Sequence, residues 1–345
     1  MSVLVLAFNP SIDAEWRVDE VRWEEKNSIR SERRWAGGKG INVARWLRYL
    51  GGRPQLLLPL GGRTGTELAR YLQAEKIPAE ISALREPTRV NVVVTTAAGR
   101  QLRFNPTGPS LSRREWHATI RALTSGFSRW GELLSRRSSS AKTDPREPFS
   151  GVKSRLARTL APPGIGWGDP RKGRQGLLIL SGSLPRGVPA NAYAQLIRLA
   201  QGAGVRTLLD CDGEAFAAGV KAHPFLVKPN EHELAQWRGH PLRSEAEIIR
   251  AARALSEATR GWVLVSRGPK RALLLHRSSQ TNFFARPPRL AAHNTVGAGD
   301  ALLAAVAMQL QLGAPPEEWL RRGVAVGCAA TQCAAGKLPG RKLTQ

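Results

Sequence analysis

Leu177-Leu178-Ile179-Leu180, Thr207-Leu208-Leu209, Phe225-Leu226-Val227 and Val263-Leu264-Val265 are four short apolar runs in one stretch of the chain. Each is too short for a helix and apolar at consecutive positions, which is the pattern of a strand buried on both faces. Between the runs, residues 189–203, 230–237 and 244–259 carry helical periodicity. A strand-then-helix order repeated in this way predicts a mostly parallel sheet sandwiched by helices, a Rossmann-like α/β fold. Toward the N-terminus the same alternation continues. Residues 3–8 and 56–60 read as strands, 41–50 and 64–76 as helices, and the β-branched run 90–95 as a further strand.

The chain has 345 residues, of which 42% are hydrophobic, enough for a sizeable core in one large domain spanning 1–345. No secretory signal is read at the N-terminus, and the apolar stretch 301–312 is shorter than the roughly 20 residues a bilayer span needs. A soluble cytoplasmic protein is the expectation. Three cysteines (Cys211, Cys328 and Cys333) make no disulfide framework, and six scattered histidines show no zinc-ligand spacing.

The formal net charge is +25, which favours polyanions and anionic metabolites alike. One stretch breaks the alternation. Residues 135–175 are rich in Ser, Pro, Gly and Arg, hold ten Lys/Arg against three Asp/Glu, and so supply +7 of that charge. They read as an inserted, mostly disordered basic loop. The charge raises a nucleic-acid-binding alternative, but the sequence carries no zinc finger, RNP motif or other reader element. Nucleic acid is therefore not expected to be the main partner.

The sharpest chemical signal is Asn294-Thr295-Val296-Gly297-Ala298-Gly299-Asp300, which leads into a long apolar helix. The glycines let a ligand approach the backbone, and the first N–H groups of the helix lack intrahelical partners. That combination suits a phosphate. Asp300, near the positive end of the helix dipole, is expected to stay ionised near neutral pH and could take a proton from an attacking hydroxyl. The same residues also read as a glycine turn with an aspartate cap.

Ala36-Gly37-Gly38-Lys39-Gly40-Ile41-Asn42-Val43-Ala44 is a second glycine cluster before a helix. It lacks Walker A spacing, and Lys39 offers a point charge to an anion, or to solvent in an ordinary turn. Asn9-Pro10-Ser11-Ile12-Asp13 follows the first strand, where Asp13 could accept hydrogen bonds from sugar hydroxyls or simply serve a turn. In Lys228-Pro229-Asn230-Glu231-His232-Glu233, Asn230 and Glu233 share a helix face. They could orient magnesium through its waters, form a capping box, or do both.

Taken in order, these motifs, together with Thr88-Arg89-Val90-Asn91, Ser181-Gly182-Ser183-Leu184-Pro185 and Ser266-Arg267-Gly268, resemble the ribokinase-like PfkB carbohydrate kinases. The resemblance spans nearly the whole chain outside 135–175. Asn-Pro-Ser-Ile-Asp, Lys39, Arg89 and Asn294-Thr295 place it nearest the hexose-phosphate branch.

The resemblance implies ATP-dependent phosphorylation of a hexose monophosphate with magnesium. Fructose 1-phosphate is the first candidate substrate, with tagatose 6-phosphate and fructose 6-phosphate as alternatives. It implies that Asp300 is the base and that the amides of Gly297, Ala298 and Gly299 hold the transferring phosphoryl group. Asp13, Gly38 and Asn42 would grip the sugar. Lys39 and Arg89 would bind its phosphate, with Ser183 nearby. Lys228, Asn230 and Glu233 would serve the ATP phosphates and magnesium, while Ser266 and Gly268 border the nucleotide. A small β-sheet lid, at about 14–36 and 88–106, would close over the site and offer a homodimer contact. Four places depart from the branch pattern: Asn105-Pro106, Arg267, Ala301 and Asp210-Cys211-Asp212-Gly213.

Overall fold

A computed structural model describes residues 2–121 and 176–340. The expectation of a disordered loop over 135–175 lies outside those residues.

The expected alternation is realised. In chain order the strands of the main sheet are β1 (Ser2–Leu6), β4 (Arg53–Gly61), β5 (Ala79–Leu84), β8 (Leu177–Ser181), β9 (Arg206–Asp210), β10 (Leu226–Val227), β11 (Trp262–Val265), β12 (Ala272–His276) and β13 (Phe283–Ala285). They form one nine-stranded sheet in the order β13-β12-β11-β10-β9-β8-β1-β4-β5. The strands from β11 through β5 are mutually parallel. Only β12 and β13 run antiparallel, as an edge hairpin that the sequence reading had not separated.

The consecutive apolar runs have a simple cause. Side chains alternate across a strand, so Val3, Val5 and Ala7 enter one core while Leu4, Leu6 and Phe8 enter the other. Leu177 and Ile179 alternate with Leu178 and Leu180 in the same way. Each such Leu or Ile contributes about 1.5–3 kcal/mol on burial, which no half-exposed strand could collect at every position.

The helices α1 (Lys39–Tyr49), α2 (Gly62–Ala74), α7 (Ala298–Leu312) and α8 (Pro316–Thr331) cover the first face. The helices α3 (Ala192–Gly202), α4 (Gly213–Val220), α5 (Glu231–Arg238) and α6 (Glu245–Thr259) cover the second. Helix α7 is the most enclosed of them, with residues 301–307 buried without interruption.

A separate four-stranded sheet stands beyond the carboxyl ends of the main strands. It consists of β2 (Ser11–Val18), β3 (Ser31–Gly37), β6 (Arg89–Thr96) and β7 (Gln101–Phe104), in the order β3-β2-β6-β7. Its central pair β2–β6 is parallel and its outer pairs antiparallel. These strands coincide with the two segments expected to form the small sheet. Among the described residues, no helix is long and apolar enough to cross a membrane.

Candidate active site

The chain order places β1 between β8 and β4, and the connection after β1 leads to β4 on one side while that after β8 leads to β9 on the other. A crevice outside the carboxyl ends of the strands is expected at such a switch point. The sequence motifs converge there: residues 9–13 after β1, residues 182–183 after β8, Asp210 at the end of β9, and Lys228 after β10.

Gly297 caps α7 with φ 80°, a left-handed conformation that favours glycine. This turn places Asp300 in the first helical turn, where it is buried. Its Oδ2 accepts a hydrogen bond from Asn42 Nδ2 at 2.9 Å. Burial is the main influence on the carboxyl, followed by the nearby negative charge of Asp210, and together they push its pKa up to about 6. The helix dipole was expected to hold this group low. Desolvation outweighs it here, yet a carboxyl of pKa about 6 is still mostly ionised at neutral pH.

The sign for activity follows directly. If Asp300 is the base that the resemblance implies, it works only when deprotonated, so turnover would be retained above the pKa and lost as pH falls through it. The kcat/KM profile is expected to show an acid limb with a pKa of about 6. A rate that stays flat down to about pH 5 would contradict this.

Asp13 projects from β2. Its Oδ1 accepts from Ser11 Oγ at 2.7 Å and Asn91 Nδ2 at 2.9 Å. Burial raises its pKa above the ordinary aspartate value, opposed by those two hydrogen bonds and by the charges of Arg45 and Arg89. Asp13, Asn42 and Gly297 line one cleft together with Trp35, Arg45 and Val296. Gly37 has no room for a side chain, because a Cβ there would stand 2.1–2.3 Å from the Asp13 carboxyl atoms. Gly38, with φ 98°, turns the chain from β3 into α1 and so delivers Lys39 and Asn42 to the crevice.

Lys39 and Arg89 have different partners. Lys39 Nζ lies 3.3 Å from Asp210 Oδ1 and 3.4 Å from Glu233 Oε1. Asp210 above all, against the opposing effect of burial, raises the pKa of Lys39 well above the usual lysine value. Arg89 instead donates to the carbonyls of Pro106 and Asn9, at 2.8 and 2.9 Å. Its Nε is buried without a partner. Ser183 Oγ joins the Arg89 side of the site through Asn9 Nδ2 at 3.1 Å.

Lys228 is buried, with Nζ 3.2 Å from Asp210 Oδ1. The same Nζ stands 3.4 Å from where a Gly299 Cβ would be, so it lies against the turn that precedes Asp300. Asp210 is thus wholly buried between two lysines. Burial alone would raise its pKa, but Lys228 and Lys39 outweigh that and hold it below the ordinary value. Its Oδ2 has no partner.

Asn230 and Glu233 form a reciprocal capping box on α5, with both hydrogen bonds at 2.8 Å. Glu233 Oε1 also faces Lys39. The described residues contain no group of three or more His, Cys, Asp or Glu side chains placed to hold a metal. Ser266 bridges in parallel to Asn230, and Gly268 turns with φ 55°.

Asp210, Asn9 and Arg45 were not assigned roles from the sequence. A further feature was also missed. Beyond Gly268 opens a cleft of about 680 Å³ whose lining includes Arg267, Lys270, Arg271, Arg286 and Arg289. Arg267, one of the departures noted above, is buried and pairs with Glu231 and Glu245, each at 2.7 Å.

Known proteins share this fold. Residues 8–125 and 174–340 match the pfkB family carbohydrate kinases. A 1-phosphofructokinase of Xanthomonas campestris pv. campestris is 32% identical over 90% of this chain and 84% of its own. The ATP-dependent 6-phosphofructokinase isozyme 2 of Escherichia coli is 30% identical over 95% of this chain and 92% of its own. The crystal structure of phosphofructokinase-2 from Escherichia coli in complex with substrates and products superposes with a TM-score of 0.79 and 28% identity. That superposition covers 100% of this chain and 97% of the other. With its nine-stranded sheet, its separate four-stranded sheet and its motifs gathered at one crevice, the chain belongs to the pfkB family of carbohydrate kinases.

Proposed function

We propose that this protein is an ATP-dependent kinase of a fructose phosphate, with fructose 1-phosphate as substrate and fructose 1,6-bisphosphate as product. The observation that carries the reading is the cleft shared by Asp13, Asn42 and the Gly297 turn, with the Asn42 amide hydrogen-bonded to the buried Asp300 carboxylate. Similarity to 1-phosphofructokinases supports the choice of substrate.

Asp13, Gly38 and Asn42 bind the sugar hydroxyls. Asp300 accepts the proton of the attacking alcohol through its carboxylate. The amides of Gly297, Ala298 and Gly299, at the open end of α7, stabilise the negative charge that develops on the transferring group. Bound ATP supplies the phosphoryl group, and magnesium balances its charge. Lys228, Ser266 and Gly268 are suited to hold the nucleotide. The Asp210 oxygen without a protein partner is an acceptor suited to the waters of a hydrated magnesium ion. Asn230 and Glu233 fit magnesium only through its waters, because each already serves the other's backbone N–H.

Arg89, Ser183 and Lys39 bind the substrate phosphate from two sides of the crevice. The four-stranded sheet acts as a lid that excludes water and so protects ATP from hydrolysis. The same sheet offers a homodimer contact, and the site of action is the cytoplasm.

The test is a coupled ADP-release assay across fructose 1-phosphate, fructose 6-phosphate, tagatose 6-phosphate and unphosphorylated fructose. The highest kcat/KM is expected for fructose 1-phosphate, with fructose at least about 10²-fold lower, because desolvated cations without an anion are costly. Equal rates with fructose would defeat the sugar-phosphate reading. A clear preference for fructose 6-phosphate would move the assignment to the 6-phosphofructokinase alternative.

A further inference from the structure

Arg45 lies on α1, one helical turn beyond Asn42, and is only 5% exposed. Four of its five N–H donors are engaged. Nε and Nη2 donate to the two oxygens of Glu75 at 2.6 and 2.8 Å, and Nη2 also donates to the Ala36 carbonyl at 2.6 Å. Nη1 donates to Asn42 Oδ1 at 2.9 Å. Glu75 caps the C-terminus of α2, and its side chain is 29% exposed, so the fork is anchored at the outer edge of the fold.

A guanidinium has donors and no acceptor. The atom of Asn42 that faces Arg45 must therefore be its oxygen, and the Asn42 nitrogen is left to face Asp300 Oδ2 at 2.9 Å. The opposite orientation would set N–H against N–H on one side and carbonyl against carboxylate on the other. We propose that Arg45 is a positioning residue for the proton acceptor: it fixes the amide of Asn42, which occupies Asp300 Oδ2 and leaves Oδ1 for the incoming alcohol. Glu75, Arg45, Asn42 and Asp300 form one continuous relay. Arg45 acts through Asn42, which lies between it and Asp300. This inference rests on the reading of Asp300 as the base.

The charged groups that face Asp300 are Asp210 at the end of β9, Lys39 in the first turn of α1 and Lys228 after β10. Their contacts do not pass through Arg45. The hydrogen bond from Asn42 does, and it lowers the Asp300 pKa against burial. If the amide is released, the carboxyl is harder to ionise and the acid limb of activity moves upward.

The experiment uses Arg45→Lys, which keeps a positive charge near Asp13 but cannot reproduce a planar fork. The variant is expected to lose about tenfold in kcat, to keep both KM values within about twofold, and to move the acid limb to higher pH. Glu75→Gln, which loosens the anchor without touching the cleft, is expected to shift the limb in the same direction by less.

An Arg45→Lys protein that folds with unchanged kcat and an unmoved acid limb overturns the proposal. If Arg45→Lys does not fold, Glu75→Gln decides: an upward shift supports the relay, and an unmoved limb overturns it. Asp300→Asn is measured alongside. If that variant keeps its activity, the reading of the base itself fails. If it is inactive while the relay variants behave as wild type, only the relay fails.

Discussion

Asp300→Asn is expected to lower kcat by about 10²- to 10⁴-fold in a folded protein, the usual contribution of a positioned general base. The substitution keeps the shape of the side chain and an oxygen to accept from Asn42 Nδ2, so the buried site loses neither volume nor its main hydrogen bond. What it removes is the group that can take a proton. The KM for the sugar phosphate is expected to change little, because Asp13 holds its own hydrogen bonds on a different sheet. Steady-state kinetics, with a thermal unfolding curve to establish folding, reads both quantities. Retained turnover would remove the base and leave only a binding role for the Gly297 turn.

The second large effect is on stability. Asp210→Ala is expected to cost about 3 kcal/mol, because it leaves two lysines without their shared carboxylate. The low end of the usual range applies, since the Lys39 side chain is 35% exposed and can turn toward water, whereas Lys228 is 5% exposed and cannot. Urea unfolding measures it, with a lower midpoint and an unchanged slope expected. Activity should fall as well, since Lys228 lies against the turn that carries Gly299. An unchanged midpoint would mean that the two lysines find water or other partners within the crevice.

Some of this site could be read from the linear sequence, because the physics is local. A glycine with positive φ before an apolar helix leaves its mark within the run 294–300. The capping box needs only the spacing of Asn230 and Glu233. The parallel strands were legible because burial on both faces demands apolar residues at consecutive positions.

Asp210 was not legible as a site residue. Its role comes from meeting Lys39, 171 positions away in the chain, and nothing within residues 206–213 encodes that meeting. Arg45 was not singled out either, because its role depends on Glu75, which the packing of α2 brings to it. The hairpin β12–β13 was missed for a related reason. Residues 272–276 are apolar enough for a parallel strand, and only the direct return of the chain from β11 makes the pairing antiparallel. The cationic cleft beyond Gly268 is assembled from two loops, 267–271 and 286–291, each of which reads alone as ordinary basic surface.

The way the first two strands are joined has mechanical meaning. Only residues 7–10 separate the end of β1 in the large sheet from the start of β2 in the small one. Any swing of the small sheet therefore carries Asp13 with it, while Asp300 stays fixed to the scaffold behind. If Asp300 is the proton acceptor, alcohol and acceptor would come into alignment at one angle between the two sheets. Such a hinge would work as an interlock: the molecule that sets the angle would also be the one whose hydroxyl is phosphorylated, and water, too small to bridge the gap, would not set it.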